Sequence, residues 1–110
     1  MPEKNDRQPG LDVTAQQRQE ILNILQQHLP ADSRVWAYGS RVTGKAKRFS
    51  DLDLAIELPH HQSLSLSLQA RLANAFDEST LPWKVDLLDL NSAPELFRRE
   101  IDRQKVEVAR

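Results

Sequence analysis

The chain has 110 residues, with 15 Lys and Arg against 16 Asp and Glu, a formal net charge of -1 and no cysteine. That length holds one modest core and excludes a polymerase with separate template-binding domains. The charge balance excludes a broad basic surface, so direct nucleic-acid binding is not expected, and the missing cysteines exclude disulfides and thiolate metal sites.

No apolar run approaches the roughly 20 residues of a membrane helix. The opening MPEKNDRQPG has no apolar signal core, so a cytoplasmic protein is expected. Residues 1–12 read as a disordered polar tail and residues 13–110 as a single domain. Thr14 and Gln17 have capping-box spacing, and Ile21, Leu22, Leu25 and Leu29 recur at helical intervals before Pro30. Val35–Tyr38 is a short strand candidate. Gly39 breaks it, and Ser40 can cap a short helix running to about Lys47. From Asp51 the period becomes two: Leu52, Leu54, Ile56 and Leu58 face one way, Asp51, Asp53, Ala55 and Glu57 the other.

The segment SLSLSLQARLANAF alternates at first, yet Leu64, Leu68, Leu72 and Phe76 lie four apart, which favours a helix. Trp83–Leu90 forms a third strand, with Lys84, Asp86 and Leu88 on one face. Ser92 and Glu95 repeat the capping-box spacing around Pro94. Leu96, Phe97 and Ile101 mark a last helix, and residues from Lys105 onward suit a short edge strand. The resulting order, α-β-α-β-α-β-α, predicts an α/β (α+β) fold: a small mixed β-sheet flanked by helices.

One motif is deceptive. Gly39 to Lys45 satisfies G-x-x-x-x-G-K after a strand, as a phosphate-binding P-loop would. Ala46 follows, where that loop needs a magnesium-binding hydroxyl. The carboxylates make a better set. Asp51 and Asp53 leave one strand face about 6.6 Å apart along the backbone. Like charges at about 4 Å repel by roughly 4 kcal/mol at an effective dielectric near 20. A divalent cation reverses that sign, and magnesium favours carboxylates combined with substrate phosphates. Asp86, on another strand, supplies a third carboxylate. Gly39 permits close backbone approach to a phosphate, and Ser40 adds a hydroxyl donor. Arg41 adjoins the same turn and is a candidate phosphate contact. Taken singly, Asp-x-Asp is commonly a solvated strand edge and Gly-Ser merely a turn; together they describe triphosphate on one side and metal on the other. His28, His60 and His61 lack metal spacing. Trp36 and Trp83 read as core or interface, and Asp89, on the face opposite Asp86, as structural.

Gly39-Ser40-Arg41, followed ten positions after Arg41 by Asp51-Leu52-Asp53-Leu54-Ala55 and later by Trp83-Lys84-Val85-Asp86, resembles the signature of polymerase beta-like nucleotidyltransferases. The chain is most similar to their minimal members, over about residues 15 to 105. The resemblance implies that Gly39 and Ser40 contact a donor triphosphate, ATP or another NTP. It implies that Asp51 and Asp53 bind magnesium, two ions being expected, and that Asp86 completes the site and helps activate the acceptor. It further implies a HEPN-type RNase toxin as partner, with AMP transferred to it by an antitoxin. A second reading is a non-catalytic antitoxin that masks the toxin sterically. A third is a nucleotide-sensing module without transfer.

Overall fold

The computed structural model describes residues 7, 8 and 10–109. Strands β1 (Arg7–Gln8) and β2 (Leu11–Thr14) pair antiparallel. Helix α1 (Ala15–His28), strand β3 (Arg34–Tyr38), helix α2 (Ser40–Thr43) and strand β4 (Leu52–Glu57) follow. Helix α3 (Leu66–Asp77), strand β5 (Val85–Asp89), helix α4 (Glu95–Gln104) and strand β6 (Val106–Ala109) complete the order. The main sheet runs β5-β4-β3-β6. β3 is antiparallel to both β4 and β6, while β4 and β5 are parallel, with α3 in their crossover. The sheet is mixed and helix-flanked, as expected.

Local chemistry sets most element ends. Thr14 caps α1 by accepting from the Gln17 amide at 3.0 Å, and Gln17 returns the favour to the Thr14 amide at 2.9 Å, the predicted capping box. Ser65 caps α3 through the Leu68 amide. The four-residue stripe wins over the strand-like alternation there: Leu64, Leu68, Leu72 and Phe76 are buried, while Leu66 is 85% exposed.

The sheet has two unlike faces. On one, Val35, Leu52, Leu54 and Ile56 pack with Ile21 and Leu25 of α1 and with Leu68, Leu72 and Phe76 of α3. On the other, Ala55, Leu90 and Ile101 form a smaller cluster with Trp36, Tyr38 and Leu88 against it. Alternation along β4 therefore buries Leu52, Leu54 and Ile56 deeply, and α4 covers Ala55 from the opposite side. Asp53 stays only partly covered.

Several expectations need correction. The tail does not extend through residue 12: Leu11 and Val13 are buried, so burial holds β2 in place, and Arg7–Gln8 pairs with it. Residues 1–6 and 9 of the expected tail lie outside the described residues. The helix from Ser40 ends at Thr43, not Lys47, because Gly44 turns left-handed (φ +81°) and its amide closes back on Ser40. Gly39, not Ser40, is its cap residue. The second capping box does not form. The Ser92 hydroxyl donates to Asp89 at 2.8 Å within a 3-10 turn, and α4 begins after Pro94 without a side-chain cap. Among the described residues no helix is long and apolar enough to cross a membrane.

Leu72 and Leu66 lie on one helix at opposite extremes of burial. Leu72→Ala is expected to cost about 3 kcal/mol in a urea melt, and Leu66→Ala less than about 0.5 kcal/mol. Equal costs would show that the α3 stripe is not the core contact.

Candidate active site

The open end of the second sheet face carries the expected carboxylates. The β4–β5 register sets Asp53 directly opposite Asp86. On its other flank β4 pairs with β3, and there Asp53 faces Tyr38. Asp51 lies just before β4, exposed, and Lys84 reaches Asp86 at 3.6 Å from an exposed position.

Gly39 follows Tyr38 and completes the corner. Its φ of +83° lies where side chains are disfavoured, and a methyl group there would collide with the Asp53 carboxylate. Glycine is therefore required twice over, once for conformation and once for the approach of Asp53. Ser40 opens α2 from this corner, partly exposed. The sequence elements Gly-Ser, Asp-x-Asp and Asp86 are brought to one place.

The electrostatics reflect crowding. Asp53 is pushed up to about 6, first by burial, then by the charges of Asp86 and Asp51 and a carboxyl–carboxyl hydrogen bond with Asp86. Tyr38 is pushed up to about 12 by burial and by the same Asp53 and Asp86 charges. A half-covered carboxylate among two others is short of positive charge, and hard oxygen donors suit magnesium. Asp53 and Asp86 thus offer donors of the chemistry the ion takes. Among the described residues, however, no three acidic or imidazole side chains already stand as a metal-ligand group.

Arg41 is placed otherwise than expected. Only 5% of it is exposed. Its guanidinium donates to the carbonyls of Asp12 (2.9 Å), Arg48 (3.1 Å) and Ser50 (2.9 Å), and it lies 4.5 Å from the centre of the Trp83 ring. It is turned away from any phosphate at the Gly39 corner and gathers the loop that delivers Asp51. Sequence reasoning missed this role because a cation beside a phosphate motif carries no sign of which way it points. Asp89 is structural, as expected: it accepts from the amides of Leu64 and Asn91. The P-loop reading fails on geometry, since Gly44 terminates a single helical turn instead of leading into a helix, and Lys45 is exposed.

This geometry agrees with the relationships of the chain. The family described as polymerase beta, nucleotidyltransferase matches residues 19–110. The chain is 47% identical over 98 residues to a protein of Haemophilus influenzae named "Probable protein adenylyltransferase MntA", covering 89% of this chain and 83% of that one. A chain from a solved toxin–antitoxin complex with AMP-PNP superposes with a TM-score of 0.70 at 26% identity, over 83% of this chain and 71% of that chain. A structure described as a minimal nucleotidyltransferase gives 0.62 at 26%, over 84% and 89%.

The chain belongs to the polymerase beta nucleotidyltransferase family. Within it, the similarity runs to a protein adenylyltransferase and to a compact, minimal form of the fold.

Two expectations follow from the site. Asp53 is raised in the folded state, so the folded chain binds its proton more tightly than the unfolded chain. Its ionisation then disfavours the metal-free fold, and stability falls as pH rises from the unfolded carboxylate range toward about 6, staying lower above that. Asp53→Asn removes this component. At pH 7 without metal the variant is expected to be more stable by about 1 kcal/mol, discounted because the carboxylate is partly exposed, and the gap should close by about pH 4. Magnesium affinity of the unaltered chain should rise over the same interval, since binding needs the ionised form. A gap independent of pH would remove Asp53 from the crowded cluster. Separately, Arg41→Lys keeps the charge but loses the planar fork. It is expected to cost about 2 kcal/mol in a denaturant melt, whereas a purely phosphate-binding arginine would leave the melt unchanged.

Proposed function

We propose that this protein transfers a nucleoside monophosphate, AMP, from ATP to a hydroxyl of a partner protein, and that it acts as the antitoxin of a toxin–antitoxin pair in the cytoplasm. The observation that carries this reading is Asp53 held between Asp86 and the Gly39 corner, with Asp51 beside it. The 47% identity to a named protein adenylyltransferase supports AMP as the group moved. The likeness to a chain from a toxin–antitoxin complex with AMP-PNP supports both the nucleotide and the pairing. The resemblance read from the sequence motifs names the partner class as a HEPN-type toxin.

Gly39 and Ser40 receive the triphosphate, with the glycine allowing the backbone to come close. Two magnesium ions held by Asp51, Asp53 and Asp86 would neutralise charge on the phosphates and lower the pKa of the acceptor hydroxyl. Asp86 takes the hydroxyl proton. A bond forms from the acceptor oxygen to the α-phosphorus as the bond to the bridging oxygen breaks, and pyrophosphate leaves. Catalysis of this kind is mostly positioning and charge stabilisation.

The purified pair, incubated with ATP labelled at either the α- or the γ-phosphate, tests the reaction. Label from the α-position alone is expected on the partner, dependent on magnesium and lost by about a hundredfold or more in Asp51→Asn. Label from the γ-position would mean a phosphotransferase. No label, with the partner silenced by complex formation alone, would favour steric masking.

A further inference from the structure

Helix α4 reaches the Gly39 corner with its last residue. The Gln104 side-chain oxygen accepts the Gly39 amide N–H. The nitrogen of the same side chain is directed back at its own helix, 3.4 Å from both the carbonyl and the carboxylate of Glu100. That return contact leaves the oxygen facing the corner. One residue earlier in the corner, Tyr38 meets Phe97 of α4 edge-on, with ring centres 6.1 Å apart. The helix therefore grips two consecutive residues where β3 gives way to α2.

Gly39 has reason to need the grip. Glycine has the most backbone freedom to lose on ordering, and this one turns at φ +83° and ψ −156°. The Asp53 carboxylate closes the side where its Cβ would be, and Gln104 fixes its amide. We propose that Gln104 is a positioning residue of the nucleotide site: by accepting from the Gly39 amide it holds the Gly39–Ser40 turn in the orientation that receives the triphosphate. This rests on the nucleotidyltransferase reading of that corner. Gln104 acts through Gly39 and does not touch the nucleotide.

Gln104→Met keeps the length and helix propensity of the side chain and removes the acceptor. Gln104→Glu keeps an acceptor oxygen. The full chain is titrated with a fluorescent ATP analogue and magnesium, and the Gly39 amide is followed by hydrogen exchange. With Gln104→Met, the Kd for the analogue and the KM for ATP are expected to rise about fivefold, the worth of one hydrogen bond, while kcat holds and the chain stays folded at the assay temperature. Exchange at Gly39 should accelerate in the Met variant and remain slow in the Glu variant. That split between KM and kcat, in a chain that stays folded, is what a merely structural glutamine would not give. Unchanged affinity in the Met variant, beside a binding unaltered chain, overturns the inference alone. Tighter binding also overturns it, because Gln104 would then compete with the phosphate for the amide. An unaltered chain that binds no nucleotide overturns both this inference and the functional reading beneath it.

Discussion

Asp53 occupies a place where its charge is disfavoured, and much of the fold serves to keep it there. It faces Asp86 across a parallel strand pair and Tyr38 across an antiparallel one. Gly39 lies so close that a side chain there would displace its carboxylate. Burial and neighbouring charge raise its pKa to about 6. An arrangement that stores repulsion without a cation gains when one enters, and gains again when the cation brings phosphate oxygens with it.

What holds the carboxylates together is the opposite face of the same strand. Leu52, Leu54 and Ile56 are fully buried against α1 and α3. At roughly 1.5–3 kcal/mol each for complete burial, the three together outweigh a carboxylate repulsion of roughly 4 kcal/mol at the protein surface. They also lock the register. A slip of one residue would turn the leucines outward and Asp53 into the core. The position of Asp53 is thus specified by apolar residues on the opposite face of its own strand.

The parts of the fold written as periodicity were legible in the sequence. The period of two at β4, the stripe of four at α3 and the Thr14–Gln17 box each correspond to contacts that form as expected. The pairing of Asp53 with Asp86 was legible as spacing, because alternation fixes the face of Asp53 within β4 and the strand that follows supplies Asp86 opposite it. What escaped was decided at longer range. Strand β2 is only four residues long and owes its place to Leu11 and Val13 finding the core. Ser92 had the spacing of a cap, but Asp89 claimed its hydroxyl. Leu96 looked like a core position and is 78% exposed, because α4 buries little beyond Ile101.

Arg41 shows how the two halves of the site are joined. It follows Ser40 directly, yet its side chain leaves the Gly39 corner and collects the backbone carbonyls of Arg48 and Ser50. Asp51 is the next residue. The arginine is also tied to the Asp12 carbonyl in β2 and stacked near Trp83, just ahead of the strand that carries Asp86. A buried guanidinium is tolerable only when its donors are met, and here backbone carbonyls from separate segments meet them. One residue therefore ties the helical turn after Gly39 to the loop bearing Asp51. The coupling also explains why the loop from Lys45 to Ser50 can expose its lysines without loosening the site: its anchor is inside, and the charges on its surface are left to solvent.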